Sequence, residues 1–140
     1  MIAGQMSLGM LLVAWSAAGW GQSTVKDVTD RGVKPLAASE LRTLLPGSIY
    51  KGTDSGSTWE YTLEKNGQVI GTLTGHFVNP VHGNWTVDDS GRACFDVSTF
   101  RSKNQMNNKK CHFIFQVGDT YYASRKTEPD APLYKVTLAR

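Results

Sequence analysis

Cysteine is nearly absent from this chain of 140 residues, which has two, at positions 94 and 111. Neither belongs to a Cys-x-x-Cys pair, so the usual spacing of a structural zinc site is missing. No apolar run reaches the roughly 20 residues that a membrane-spanning helix needs. There is also no Gly-x-Ser-x-Gly segment, the nucleophile elbow of the α/β-hydrolases. We therefore expect neither a zinc ribbon, nor a membrane-spanning protein, nor a hydrolase of that class.

The N-terminus has no charged side chain before Lys26 and is typical of a secretory signal peptide. An almost entirely apolar segment runs from Met6 to Ala18, and small residues follow it before polar sequence begins at Gln22. This is the order of core and cleavage region in a signal peptide, although the usual Lys or Arg at the start is missing. We expect residues 1–21 to be removed on export to the periplasm or the medium. The alternative is a frayed tail, or a chain start upstream of the natural one.

In such a compartment the two cysteines are expected to form a disulfide. Two cysteines allow one intramolecular pairing, Cys94 with Cys111. Closing a loop of this size stabilises the fold by about 3 kcal/mol in the chain-entropy model. The alternative is a pair of buried, reduced thiols in a cytosolic protein.

The rest of the chain has the length of a single domain. Its first segment, 22–34, is polar and poor in large apolar residues, and we expect a flexible lead-in there. The domain itself is expected over residues 35–140. It opens with leucines at helical spacing that end at Pro46-Gly47, which predicts one short helix. A helix this short is marginal alone in water and must lie against a sheet.

Alternation of apolar and polar residues after Gly47 predicts seven or eight short strands. Asn66-Gly67 is a strong hairpin signal, and no helix–strand rhythm interrupts the pattern. We predict a mainly β fold, either an antiparallel sandwich or a calycin-like barrel of seven to eight short strands with one short N-terminal helix. Gly83-x-Trp85 resembles the signature of lipocalin-like barrels, but it lies mid-chain rather than on the first strand. That position argues against a true lipocalin and leaves a related barrel open.

Several short motifs, taken together, resemble a known family. They are Leu41-x-x-Leu44-Leu45-x-Gly47, Gly83-x-Trp85-x-Val87, Asp89-x-Gly91-x-x-Cys94, Cys111 and Gly118-Asp119-x-Tyr121. In this order they are similar to the small exported proteobacterial proteins grouped as domain-of-unknown-function family 995, over about residues 36–138. The resemblance implies an exported β-rich domain with a disulfide, and it brings no catalytic residues with it.

Positive charge is concentrated between Arg92 and Lys126. This segment has seven basic and two acidic residues, a net +5, whereas the whole chain carries +3. At its centre lies a polar basic loop, 101–110, that the disulfide is expected to tether. We expect this region to bind an anionic small molecule, a glycan or a lipid headgroup, with a tyrosine as a cation–π neighbour. The predicted binding residues are Arg101, Lys103, Lys109, Lys110, Arg125 and Tyr122. The alternative is a solvated loop whose charges only keep the protein soluble.

No group of residues predicts catalysis, a metal or a cofactor. His76 and His82 flank one turn, but a metal site would need a third ligand, such as Asp88 or Asp89. Two aspartates before Gly91 are more typical of a turn. We therefore expect a binding protein rather than an enzyme. Nucleic acid is disfavoured as its partner, because no binding motif accompanies the basic residues. The alternative function is a protein-interaction module, such as an enzyme inhibitor or an immunity-type protein.

Overall fold

Eight antiparallel strands close into a barrel in the computed structural model, which describes residues 24–54, 56–99 and 107–140. Each strand pairs with the next along the chain, and the last pairs back with the first. The strands are β1 (Ile49–Asp54), β2 (Ser57–Leu63), β3 (Gln68–Thr74), β4 (Val78–Val87), β5 (Ala93–Thr99), β6 (Asn107–Val117), β7 (Thr120–Ser124) and β8 (Tyr134–Ala139). Among the described residues, two short helices precede them, α1 (Val25–Thr29) and α2 (Ala38–Leu44). The mainly β prediction is confirmed, and of its two architectures the structure is the barrel.

Helix α2 covers one end of the barrel, which we call the closed end. The turns β2–β3, β4–β5 and β6–β7 meet there, and Arg42 of α2 donates to the carbonyl oxygen of Val87 at 3.1 Å. Leu41 and Leu45 are completely buried in the barrel core. The other end, the open end, carries the connections β1–β2, β3–β4, β5–β6 and β7–β8. The predicted helix is therefore present and lies against the sheet.

Large rings fill the middle of the barrel. Tyr50 and Phe95 stack with ring centroids 5.1 Å apart, and Trp59 lies 5.7 Å from Tyr50. A barrel of eight strands has an interior just wide enough for its own side chains to fill. This barrel is accordingly a packed core for most of its length.

The Gly-x-Trp motif lies in β4 and has a packing role. A Cβ at Gly83 would overlap the carbonyl oxygen of Asp96, so the glycine lets β4 and β5 approach closely. Trp85 is buried at the closed end, and its Nε1 donates to the carbonyl oxygen of Glu64 at 2.8 Å. The tryptophan of the motif thus holds the β2–β3 turn in place at the closed end through this hydrogen bond.

A second, smaller core lies outside the barrel, under the N-terminal segment. Val25 and Val28 of α1 are buried against Phe115 and Ala131. The expected flexible lead-in at 22–34 is therefore corrected for residues 24–34. Two valines three residues apart lie on one face of a helical turn, and the apolar outer face of β6 covers that face.

This segment runs the length of the barrel, and we call residues 24–36 the strap. At the open end Thr24 forms a β-bridge with Pro132 of the β7–β8 loop. Near the closed end Pro35 bridges Phe115 of β6, after which the chain enters α2. The strap therefore connects the two ends of the barrel along its outer surface. Within the described ranges, no helix is long and apolar enough to cross a bilayer.

The predicted disulfide between Cys94 and Cys111 is present. The two cysteines are register partners in the β5–β6 ladder, and the strands continue to pair beyond them to Ser98 and Asn107. Strand pairing, rather than the disulfide, therefore holds the ends of the β5–β6 loop. This corrects the expectation that the disulfide tethers the basic loop at its base.

Candidate binding site at the open end of the barrel

Three charged side chains meet at the open end, and we call them the mouth cluster: Asp54, Lys110 and Arg125. One carboxylate oxygen of Asp54 is 3.0 Å from Nη2 of Arg125 and 3.8 Å from Nζ of Lys110. The Asp54 side chain is only 7% exposed, whereas those of Lys110 and Arg125 are 30% and 49% exposed. Two cations share one buried carboxylate, so the cluster keeps a net positive charge that solvent can reach.

Strand β6 brings polar side chains to the barrel interior. Asn108, Lys110 and His112 line a small cavity inside the barrel, whereas Phe113 and Phe115 belong to the outer core under the strap. Residues on a strand alternate between its two faces, so an apolar outer row puts the polar row inside. The strap makes this arrangement stable, because it covers the phenylalanines that would otherwise face water.

His112 lies below the mouth cluster and bonds to a buried tyrosine. Its Nδ1 is 3.0 Å from the hydroxyl oxygen of Tyr50, and Tyr50 is fully buried. Burial raises the pKa of the Tyr50 hydroxyl far above its ordinary value, so the hydroxyl keeps its proton. Within the described residues this is the hydroxyl's one hydrogen bond, so it donates to Nδ1. The bonding pattern therefore assigns the proton of neutral His112 to Nε2.

The same surroundings keep His112 neutral. Burial lowers its pKa to about 4, and the cations Arg125 and Lys110 act in the same direction. The Asp54 carboxylate opposes them without reversing the shift. At pH 7 the ring is thus an uncharged donor at Nε2.

Two ring nitrogens near Lys110 have no hydrogen-bond partner among the described residues, Nε1 of Trp59 and Nε2 of His112. Both side chains are deeply buried, and their ring centroids are 5.4 Å apart. They line one cavity of about 10 Å³ together with Asn108 and Lys110. This is about the space of one water-sized group. A buried donor without a partner costs about 1–3 kcal/mol, so an acceptor placed here would recover stability.

Gly52 of β1 makes room for the Trp59 ring. The two residues are register partners, and a Cβ at position 52 would overlap the indole. The position of the Trp59 ring beside the cavity thus depends on a glycine in the neighbouring strand.

The structure brings together two of the predicted binding residues, Lys110 and Arg125. Lys109 is exposed and is the register partner of Asp96 in the β5–β6 ladder, so it points away from the cavity. Tyr122 packs against the outer core under the strap, apart from the mouth cluster. Arg101 and Lys103 lie outside the described residues.

Sequence reasoning missed Asp54, Trp59 and His112 as members of the site. The signal was present in β6, where polar residues at 108, 110 and 112 alternate with an apolar row. When the apolar residues of a strand are covered on the outside of the barrel, the polar residues between them point inward and indicate a site. The sequence of β6 alone does not show this, because the cover is supplied by the strap.

A wider depression of about 410 Å³ adjoins the site along the β7–β8 loop. Arg125 lines it together with Lys126, but Glu128 and Asp130 line it too. Its two basic and two acidic side chains balance, so this depression attracts an anion less strongly than the mouth cluster does.

Within the described residues, no three histidine, cysteine or acidic side chains gather where a metal ion would bind. Asp88 instead holds its own turn, because its carboxylate accepts from the Ser90 hydroxyl at 2.7 Å and from the backbone N–H of Arg92 at 2.9 Å. Asp88 is thus a turn residue, as the sequence indicates.

Comparisons with protein-family models, with curated proteins and with solved structures found no match to this chain. The resemblance to domain-of-unknown-function family 995 therefore stays a proposal. Because a fold alone does not imply a function, the function is argued from the site.

Proposed function

We propose that this protein is a small exported binding protein, periplasmic or secreted, that holds an anionic ligand at the open end of its barrel. The mouth cluster carries this proposal. Lys110 and Arg125 share the single carboxylate of Asp54, and both keep surface that solvent reaches. An anion that enters the cluster gains charge-assisted hydrogen bonds from both cations.

Export is supported by two independent features of the chain. The uncharged apolar segment within residues 1–21 is typical of a signal peptide, and Cys94 and Cys111 form a disulfide. Intact-mass measurement of protein recovered from the periplasm or medium tests this part. A full-length, reduced chain would contradict it.

The ligand class follows from the charge and the size of the site. Anionic small molecules, glycans and lipid headgroups all carry acidic groups that the two cations can pair with. The cavity below the cluster is only about 10 Å³, so one small group of the ligand enters and the rest stays outside. We place the binding site at the mouth of the barrel rather than along the whole basic loop.

Two neighbouring lysines provide a matched test. Lys110 belongs to the mouth cluster, whereas Lys109 is exposed on the outer face of the same strand. We would titrate the mature protein at low salt with sodium acetate and with sodium phosphate, following binding by NMR. Lys110→Met should weaken anion binding by about ten-fold or more, because one charge-assisted bond is lost. Lys109→Met should leave it unchanged, and added salt should weaken binding to the wild type.

Equal losses in the two variants would place binding on the loop surface instead of the mouth. Absence of binding of both anions to the wild-type protein would refute the proposal itself.

A protein-interaction module is the second candidate, and the β3–β4 hairpin favours it. Phe77 and Val78 at the tip of this hairpin are 69% and 64% exposed. Exposed aromatic and aliphatic side chains at a tip are suited to anchor in the pocket of a partner protein. Such a complex should survive moderate salt and should be lost on Phe77→Ser, whereas Lys110→Met should not affect it.

A further inference from the structure

We propose that the cavity between Trp59 and His112 receives one oxygen of a carboxylate group, with Lys110 neutralising the charge. This inference rests on the proposed function, since it names the acidic group of the same ligand. It is carried by the two unpaired ring nitrogens, which the mouth cluster alone does not explain.

Three side chains of the cavity lining supply donors, and Tyr61, Leu73 and Phe95 complete the lining beside them. The indole Nε1–H of Trp59 and the ammonium of Lys110 can only donate, and His112 donates from Nε2 in the tautomer that Tyr50 imposes. Asn108 supplies an amide that can turn either way. The carboxylate of Asp54 is already shared by two cations. The group that pairs with all three donors is therefore an acceptor, and a negative charge on it also pairs with Lys110.

Size and shape select a carboxylate. The space holds about one water-sized group, and the two rings beside it have centroids 5.4 Å apart. A planar carboxylate can place one oxygen in this space beside the two rings while the second oxygen faces Lys110. A tetrahedral phosphate is wider on every side. A water molecule also fits this space, since Tyr61 and Asn108 can accept its protons, so displacement of water by acetate is one of the outcomes tested below.

The test is an NMR titration of the mature, oxidised protein with sodium acetate, and with acetamide as an uncharged probe of the same size. The indole N–H resonance of Trp59 and the ring resonances of His112 should shift saturably with acetate. Acetamide should bind at least about ten-fold more weakly, because it gains no charge-assisted bond from Lys110.

Two tryptophans make a control pair. Trp59→Phe removes the donor and should weaken acetate binding by about ten-fold. Trp85→Phe removes an indole that is bonded to Glu64 at the closed end, and it should leave acetate binding unchanged. If Trp59→Phe fails to fold, the wild-type comparison of acetate with acetamide decides.

The outcomes separate this inference from the proposed function. If acetate shifts Lys110 but neither Trp59 nor His112, the carboxylate pocket is wrong and the mouth site stands. If neither acetate nor phosphate binds, both fail. If the Trp59 indole contacts a bound water that acetate does not displace, the cavity is a water site and the inference is overturned.

Discussion

At the scale of single residues, His112 connects the stability of the barrel to its candidate site. One ring nitrogen accepts from a buried hydroxyl, and the other is buried without a partner among the described residues, in a ring that lines the cavity beside Lys110. The groups that face it are Tyr50 and Asp54 from β1, Lys110 from its own strand, and Arg125 after β7. Protonating this ring would place a third positive charge beside two cations and remove the acceptor for Tyr50.

We expect the folded protein to lose stability as the pH falls from about 6.5 to about 4. The pKa of His112 is lowered to about 4 from 6.5, so between these values the unfolded chain binds a proton that the folded one does not. The contribution of neutral His112 is full above pH 6.5 and is lost towards pH 4, about 3 kcal/mol in total. Urea unfolding at several pH values measures it. His112→Gln is the control, and an equal slope in this variant would assign the loss to other groups.

At the scale of secondary-structure elements, α2 acts as the lid of the closed end through one face. Leu41 and Leu45 enter the core, whereas Leu44 is half-buried beside Arg140 in a surface groove. The helix has seven residues, too few to be stable by itself. Its conformation therefore depends on the leucines that it inserts.

Leu41→Ala should lower the free energy of unfolding by about 2–5 kcal/mol, because it leaves a cavity at the closed end. Leu44→Ala should cost about 1 kcal/mol or less, since less of that side chain is buried. Alanine is as good a helix former as leucine, so the difference reports burial rather than helix propensity. Chemical denaturation measures both variants. Similar losses of stability in the two variants would mean that burial of Leu41 is not what makes α2 stabilise the barrel.

Strand β6 shows where prediction from sequence ends. The alternation of polar and apolar residues in β6 is visible in the sequence, and it predicts a strand with one polar and one apolar face. Which face is the inner one depends on the strap, whose two buried valines lie some 85 residues earlier in the chain. Lys110 could be selected for its charge, but the meeting of Trp59 with His112 required the register of a closed barrel. Asp54 was missed for the same reason, since its two cations lie far from it in the sequence.

At the scale of the whole molecule, the closure of the sheet into a barrel determines the architecture more than the disulfide does. Strand patterns and turn signals predict seven or eight antiparallel strands, but they are the same in a sandwich and in a barrel. The pairing of β8 with β1 makes the difference, and it joins the two ends of the domain. No local pattern encodes that contact. The disulfide adds to a ladder that is already paired on both sides of it.

We expect the double variant Cys94→Ala/Cys111→Ala to stay folded but to be less stable by about 3 kcal/mol, the loop-closure value for a sequence separation of 17. Far-UV circular dichroism should keep its β signal, and urea unfolding should shift to lower concentration. Collapse of the β signal in buffer would show that the barrel depends on the bridge to form.

The path of the strap has a consequence for immobilising the protein, because residues suitable for coupling lie at opposite ends of the barrel. Thr24 lies beside Pro132 at the open end, whereas Arg140 lies beside α2 at the closed end. A sensor chip or bead coupled at Arg140 would hold the molecule by its closed end and turn the open end to the solution. The same coupling near Thr24 would set the mouth against the support. The direction of attachment would then by itself decide whether a ligand can reach the site.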